Sequence, residues 1–386
     1  MNNFEFHNPV KVIFGKDQLK KISAQIPENK RILLIYGGGS ILKNGVYDAI
    51  TKALTGYTVL EFSGIEPNPT YETAMKAVEL IKAENIDFLL AVGGGSVIDA
   101  TKFIAAAAVF NGEDPWDILA KRGPVKSALP FGAVLTLPAT GSEMNSGSVM
   151  TRESTLEKLA FMSPLVFPVF SFLLPEAAAT LPKRQVANGV VDAFMHTMEQ
   201  YMTYPANAPL QDRFAESILQ TLIEVGPKAY ANPADYEAMS NLMWSATMAL
   251  NGLIGCGVPQ DWAVHMMGHE LTAQFGIDHA RTLAIIAPNH YTYNLESKKE
   301  KLAQYGERVW GITNGSSDEK ALAAIEKTVA FFHSLDIDTK LSEYTKTYQG
   351  TAQTISKRFT DRGWAGLGER QSLKPADVEK IVEMSY

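Results

Sequence analysis

Along the first 182 positions, apolar residues fall in short continuous runs rich in β-branched, leucine and aromatic side chains: RILLIY (31–36), DFLLAV (87–92), AVLTLPA (133–139) and VFPVFSF (166–172). Helix-length stretches such as YETAMKAVELIKAEN (71–85) lie between them. Runs of that kind predict strands buried on both faces, and their alternation with helices predicts a parallel α/β sheet. Beyond Leu181 and Pro182 the period lengthens. Apolar spacing of three and four residues runs through QVANGVVDAFMHTMEQYM, DRFAESILQTLIEVG, YEAMSNLMWSATMALNGL, DWAVHMMGHELTAQFG and KALAAIEKTVAFFHSL, which predicts helices. The expected organisation is an α/β domain over residues 1–182 and an all-helical domain over 183–386, with Pro182, Gly189 and the change of period marking the join.

Composition narrows the function classes. The chain has 386 residues, 46% hydrophobic and 20% charged, with a formal net charge of -7 and no dense Lys/Arg block. That balance excludes a nucleic-acid groove or an anionic membrane as the main partner. The most apolar stretch, Phe161 to Pro175, is interrupted by Pro164 and Pro168 and is too short to span a bilayer as a helix. The start, MNNFEFHNPVKVIFG, lacks the pattern of a secretory signal, so a cytoplasmic location is expected. With one cysteine, Cys256, an intrachain disulfide and a thiolate metal cage are both excluded, and metal ligands must come from His and carboxylates.

Two glycine clusters follow predicted strands. Gly37, Gly38, Gly39 and Ser40 come after RILLIY; Gly93, Gly94, Gly95 and Ser96 come after DFLLAV and open the helical segment SVIDATKFIAAAA. Glycine lets a backbone approach a ligand closely, and the N–H groups that begin a helix attract anions. Either cluster alone is equally well read as a tight turn. Their repetition at strand ends points to a dinucleotide, although neither is the G-x-G-x-x-G fingerprint.

Of seven histidines, His265, His269 and His279 fall within fifteen residues. Asp192 and His196 are four apart in VVDAFMHTMEQ and so share a helix face, as do His265 and His269; Gly276 ends that helix and lets His279 turn back. A single histidine of this kind is more often a hydrogen-bonded core residue than a ligand, but five convergent positions suit a divalent metal, Fe²⁺ or Zn²⁺, between which ligand type does not choose. The H-E-x-x-H helix of zinc peptidases is excluded: Met266 follows His265, and Glu270 comes after the second histidine.

Taken together, FEFHNPVKVIFG, IEPNPT (65–70), AVGGGSVIDATK (91–102), LTLPATGSE (135–143), the TLP of Thr180 to Pro182, NGVVDAFMHTMEQY (188–201) and the His265–His279 segment resemble the iron-containing alcohol dehydrogenases, in their branch of butanol dehydrogenases and NADPH-dependent aldehyde reductases. The resemblance runs almost end to end. It implies a Rossmann-like dinucleotide-binding domain, a helical metal-binding domain and an active site in the cleft between them. It also implies metal ligands at Asp192, His196, His265 and His279, and moves His269 to the nicotinamide side as part of a proton path. Cofactor contacts are implied at Ser40, Asn68, Gly94, Gly95, Ser96, Asp99, Thr136, Asn145, Lys158, Thr180 and His279, with the loop Thr140–Glu143 near the pyrophosphate. Asp278 and Ala280, around His279, and Leu174 depart from the family's usual residues.

The function implied is interconversion of aldehydes and primary alcohols, mainly as an aldehyde reductase of short and medium chains. Gly39, where NAD-linked members carry Asp, together with Ser40 and Lys158, implies NADP(H). A homodimer is implied as well. Met144, Leu253, Ile254, Trp262 and Met266 are candidates for an apolar substrate pocket, each also explicable as core. A lyase of the dehydroquinate-synthase type, using its nicotinamide transiently, and a non-catalytic metal or nucleotide-binding protein are the alternatives; LTLPATGSE and DAFMHTMEQ fit the dehydrogenases better.

Overall fold

The computed structural model describes residues 1–364 and 366–386. Among the described residues eight strands run β1 (Lys11–Phe14), β2 (Arg31–Tyr36), β3 (Thr58–Phe62), β4 (Phe88–Gly93), β5 (Phe131–Leu135), β6 (Gly147–Arg152), β7 (Glu157–Met162) and β8 (Phe170–Leu173). Helices are α1 (Val46–Ala53), α2 (Tyr71–Glu84), α3 (Gly95–Ala107), the single turn α4 (Asp117–Ala120), α5 (Lys183–Tyr201), α6 (Pro209–Ala231), α7 (Tyr236–Ala249), α8 (Ala263–Phe275), α9 (His279–Tyr293), α10 (Leu295–Trp310), α11 (Ser317–His333), α12 (Thr351–Asp361) and α13 (Pro375–Met384).

Six strands form one sheet in the order β1-β8-β5-β4-β2-β3, every pair parallel. The central strands β4 and β5 are buried at every residue, as continuous apolar runs require. After the edge strand β1, the chain visits β2, steps outward to β3, then returns across β2 to β4, β5 and β8. That is the 2-1-3-4-5 order of doubly wound sheets, and the reversal falls between β2 and β4. Both glycine clusters sit at the carboxyl ends of these two strands, where ligands of open α/β sheets bind.

Two compact units divide the residues: His7–Pro182 with Asn232–Asn251, and Met1–Phe6 with Lys183–Ala231 and Gly252–Tyr386. Two contiguous halves, 1–182 and 183–386, omit this exchange. Helix α7 is helical as its period requires, but it packs in the α/β unit: Trp244 meets Phe14 edge-on at 6.3 Å, the Lys16 ammonium lies 4.0 Å from the Tyr236 ring centre, and the Thr247 hydroxyl donates to Glu143. Periodicity shows that α7 has an apolar face, not which unit receives it. The extreme N-terminus joins the helical unit, where the Asn2 N–H donates to the Gly257 carbonyl at 2.8 Å.

Apolar spacing did not single out the antiparallel hairpin β6–β7. The helical unit is built around α5, whose Phe194 packs against Phe331 and Phe332 of α11. Among the described residues no helix is long and apolar enough to cross a membrane.

Candidate functional site

Asp192 and His196 project from one face of α5, His265 from the first turn of α8, and His279 is the first residue of α9. One donor atom from each lies within 4.8 Å of the other three. His196 Nε2 and His279 Nε2 stand 3.6 and 3.7 Å from Asp192 Oδ1. These separations are too long for hydrogen bonds. They suit donors placed about 2.0–2.2 Å from a shared divalent ion, which stand roughly 3–4.5 Å apart. Burial holds the His196 imidazole down at about 4, against the pull of Asp192, so near neutral pH it is the uncharged ring a metal requires. The donor set therefore fits a divalent cation.

His269, one turn beyond His265, places its ring 5.0 Å from that of His279 and 6.2 Å from that of His265, beside the four donors but outside their convergence. Glu270 turns elsewhere, to Arg358 Nε at 3.0 Å and the Arg362 guanidinium of α12 and its following turn, so it is bound in ion pairs and is no free base.

Two supporting groups escaped the sequence reading. Glu199 Oε1 meets His265 Nδ1 at 3.0 Å and accepts the His265 backbone N–H at 2.9 Å, which leaves Nε2 of that ring for the donor cluster. Glu199 follows Asp192 by seven and His196 by three residues, a spacing that places all three on one helical face. Burial and the nearby Asp261 push its carboxyl up to about 8. Asp261 itself, despite burial, is held well below the usual range by His290 and Lys298; Lys298 Nζ donates to it at 2.7 Å and to Glu369 at 3.0 Å. This buried network anchors the turn into α8, where Asp261 Oδ1 accepts the Ala263 N–H and Trp262 adopts a left-handed φ of 63°. The Trp262 ring, carried on this left-handed backbone, stands edge-on to His265 at 5.1 Å. Of the apolar pocket candidates, Trp262 thus flanks the imidazoles, whereas Ile254 lines a small cavity with Tyr201 and Gln211 and Met144 lies in the α/β unit near Asn251.

In the α/β unit, Gly94 caps α3 and Gly95 begins it, with no acidic residue in the first turn. Gly95 is required by packing: a Cβ there would stand 2.3 Å from Thr140 Cγ2 and Oγ1. At the other cluster Gly39 takes φ 87°, Gly37 passes close to the Ile65 carbonyl, and Gly38 and Ser40 are exposed. Lys158 of the hairpin donates to Asn68 Oδ1 at 2.7 Å, bringing together two residues ninety positions apart. Asp99 accepts from the Ser142 hydroxyl at 2.6 Å and the Val149 N–H at 3.0 Å; Asn145 Oδ1 accepts from Lys102 Nζ at 2.8 Å and the Gly147 N–H at 2.9 Å. Both side chains thereby pin the Thr140–Glu143 loop and hairpin to α3. Burial lowers the Lys102 ammonium to about 8 although Asp99 and Glu143 raise it. Thr136 is buried after β5, while Thr180 ends a 3₁₀ turn at an exposed position.

Comparison with known proteins identifies the family of the chain. The family model for the iron-containing alcohol dehydrogenase matches residues 9–175, and that for the C-terminal part of the Fe-containing alcohol dehydrogenase family matches 186–386. The chain is 55% identical over 386 residues to the NADPH-dependent aldehyde reductase YqhD of Escherichia coli, covering 99% of both chains. It is 44% identical over 390 residues to the probable NADH-dependent butanol dehydrogenase 1 of Bacillus subtilis, covering both completely. A crystal structure of YqhD from Escherichia coli superposes with a TM-score of 0.98 at 53% identity, covering 100% of this chain and 99% of that one.

Proposed function

Because the chain belongs to the iron-containing alcohol dehydrogenase family, we propose that it is a metal-dependent, NADP(H)-linked oxidoreductase interconverting aldehydes and primary alcohols, acting mainly as a reductase of short- and medium-chain aldehydes. The observation that carries this reading is the convergence of Asp192, His196, His265 and His279 within 4.8 Å. These four would hold one Fe²⁺ or Zn²⁺, which supplies Lewis acidity toward a carbonyl oxygen, while NADPH supplies the hydride. A lyase or a purely binding role is not favoured by a relative named as an aldehyde reductase.

The chain's own residues do the rest. Gly94, Gly95 and Ser96 at the α3 N-terminus bind the pyrophosphate through backbone N–H groups, and Gly37 and Gly38 leave room for the nucleotide. Gly39 presents no carboxylate to repel a 2′-phosphate, Ser40 offers an exposed hydroxyl, and Lys158 contributes positive charge. The Bacillus relative is named NADH-dependent, so these residues, rather than family membership, carry the NADP preference. Asn68, Asp99, Thr136, Asn145 and Thr180 complete the cofactor site, Asp99 and Asn145 by holding its loop. His269, beside His279, relays the proton that the product oxygen acquires.

A homodimer belongs to the same reading, supported by exposed Phe4 and Phe6 on the N-terminal segment and exposed Phe14 on the edge strand β1. A cytoplasmic location is supported by the single, unbridged Cys256. Metal analysis followed by assays over an aldehyde panel, with Fe²⁺ or Zn²⁺ restored, tests the function. Aldehyde-dependent loss of NADPH absorbance is expected, lost on Asp192→Ala, with kcat/KM higher for NADPH than for NADH. Aldehyde turnover unaffected by Asp192→Ala would sink the metal reading, and a higher kcat/KM with NADH the cofactor preference.

A further inference from the structure

Arg184, Asn188, Asp192 and His196 follow one another at four-residue intervals along α5, and such residues form one stripe on a helix. The second pair are proposed metal donors. The first pair bind a single atom: Arg184 Nε and Asn188 Nδ2 each donate to Asp278 Oδ2 at 2.7 Å. Arg281 closes the group, with Nε donating to Asn188 Oδ1 at 3.1 Å and lying 3.7 Å from Asp278 Oδ2, while its Nη1 donates to the Asp336 carbonyl at 3.1 Å. The residue after Asp278 is the donor His279.

Asp278 is also the N-cap of α9, where a carboxylate ordinarily accepts an N–H of its own first turn. No such side-chain cap is made; its carbonyl accepts the Arg281 and Thr282 N–H groups, and its carboxylate reaches to α5. His279 is the least enclosed donor, its side chain 22% exposed against 5–6% for Asp192 and His196. Packing restrains it least, and it follows closely on the turn at Gly276, which has φ 67°.

Resting on the reading of Asp192, His196, His265 and His279 as metal donors, we propose that Asp278 is a positioning residue for that site: clamped by Arg184 and Asn188, it fixes the start of α9 against the donor stripe of α5 and holds His279 at donor distance from Asp192 before a cation binds. Since Arg184 is 61% exposed, the ion pair adds little to overall stability. The clamp acts on placement, and its loss appears in metal affinity.

The test compares wild type, Asp278→Ala, Asp278→Asn, Arg184→Ala and Asp192→Ala, each stripped of metal, titrated with Zn²⁺ against a chromophoric chelator and melted with and without Zn²⁺. Asp278→Ala is expected to raise the Zn²⁺ Kd about 10- to 100-fold, the range for groups that orient metal ligands, with the metal-free melting temperature nearly unchanged. Asp278→Asn, whose amide oxygen still accepts both donors, recovers most of the affinity, and Arg184→Ala loses part of it. A wild-type Kd in Asp278→Ala overturns the clamp, as does an equal fall in melting temperature with and without Zn²⁺. If Asp278→Ala does not fold, the exposed Arg184→Ala decides, and an unchanged Kd there overturns it. Equal Zn²⁺ binding by wild type and Asp192→Ala instead removes the metal site itself, and the clamp with it.

Discussion

His265 has two ring nitrogens, and Glu199 occupies one of them. With Nδ1 held at 3.0 Å and the backbone N–H of the same residue at 2.9 Å, one carboxylate oxygen sets both the rotation and the tautomer of the ring. Removing that oxygen frees the ring in a buried site. Glu199→Ala is expected to weaken Zn²⁺ binding about 10- to 100-fold, whereas Glu199→Gln, which retains an accepting oxygen, stays within a few-fold of wild type. Equal losses in the two variants, read by chelator competition, would show that charge rather than hydrogen bonding is what Glu199 supplies. At this scale helical spacing pairs the proposed donors Asp192 and His196, but it pairs His269 with His265 in the same way and does not set His269 apart from the proposed donors. Glu199 shares that spacing, but a polar residue on an amphipathic helix normally marks the solvated face, whereas α5 is buried on nearly every side. Arg184 and Asp278 meet across ninety-four positions, a contact that no local pattern encodes.

Among the elements, α3 carries the most consequence for the cofactor, because its first turn is both the proposed anion site and a packing surface. A Cβ on Gly95 would lie 2.3 Å from Thr140 Cγ2 and Oγ1 and 2.8 Å from Thr140 Cβ. Thr140 is β-branched and its hydroxyl already accepts the Ser142 N–H at 3.1 Å, so it has no easy rotamer to retreat to. Gly95→Ala must displace the loop that Ser142 ties to Asp99. Overpacking of this kind costs about 1–3 kcal/mol, and expressed in the bound geometry it weakens NADPH binding by roughly tenfold or more. A fluorescence titration in which Gly95→Ala binds NADPH like wild type would remove α3 from the cofactor site. The strands around this helix were legible because burial on both faces leaves unbroken apolar runs. The β6–β7 hairpin was not: it buries only Ser148, Met150, Lys158 and Phe161, and Lys158 is an amine that reads as surface until its partner Asn68 is seen.

At the scale of the whole chain, the change of hydrophobic period near Pro182 marks where helices take over, but it does not mark a separable α/β piece. The α/β unit includes Asn232–Asn251, fifty residues further on. Helix α7 sets Trp244 edge-on to Phe14, gives Glu143 its Thr247 hydrogen bond, and sets Leu250 and the Ala246 carbonyl 3.2 Å from where a Cβ on Gly141 would be. Glu143 is fully buried and burial raises its carboxyl. Without α7 it would lose both its hydroxyl partner and its cover, and the Thr140–Glu143 loop would lose the surface that shapes it. A fragment of residues 7–182 is therefore expected to unfold at a lower temperature and to bind a hydrophobic dye, whereas the same fragment joined through a flexible Gly/Ser linker to 232–251 recovers cooperative melting. Each lost core contact of this kind costs about 1–3 kcal/mol against a domain stability of only about 5–15 kcal/mol, so removing a whole helix is decisive. Equal melting of the two fragments by circular dichroism would mean that α7 rests on the α/β unit without supporting it.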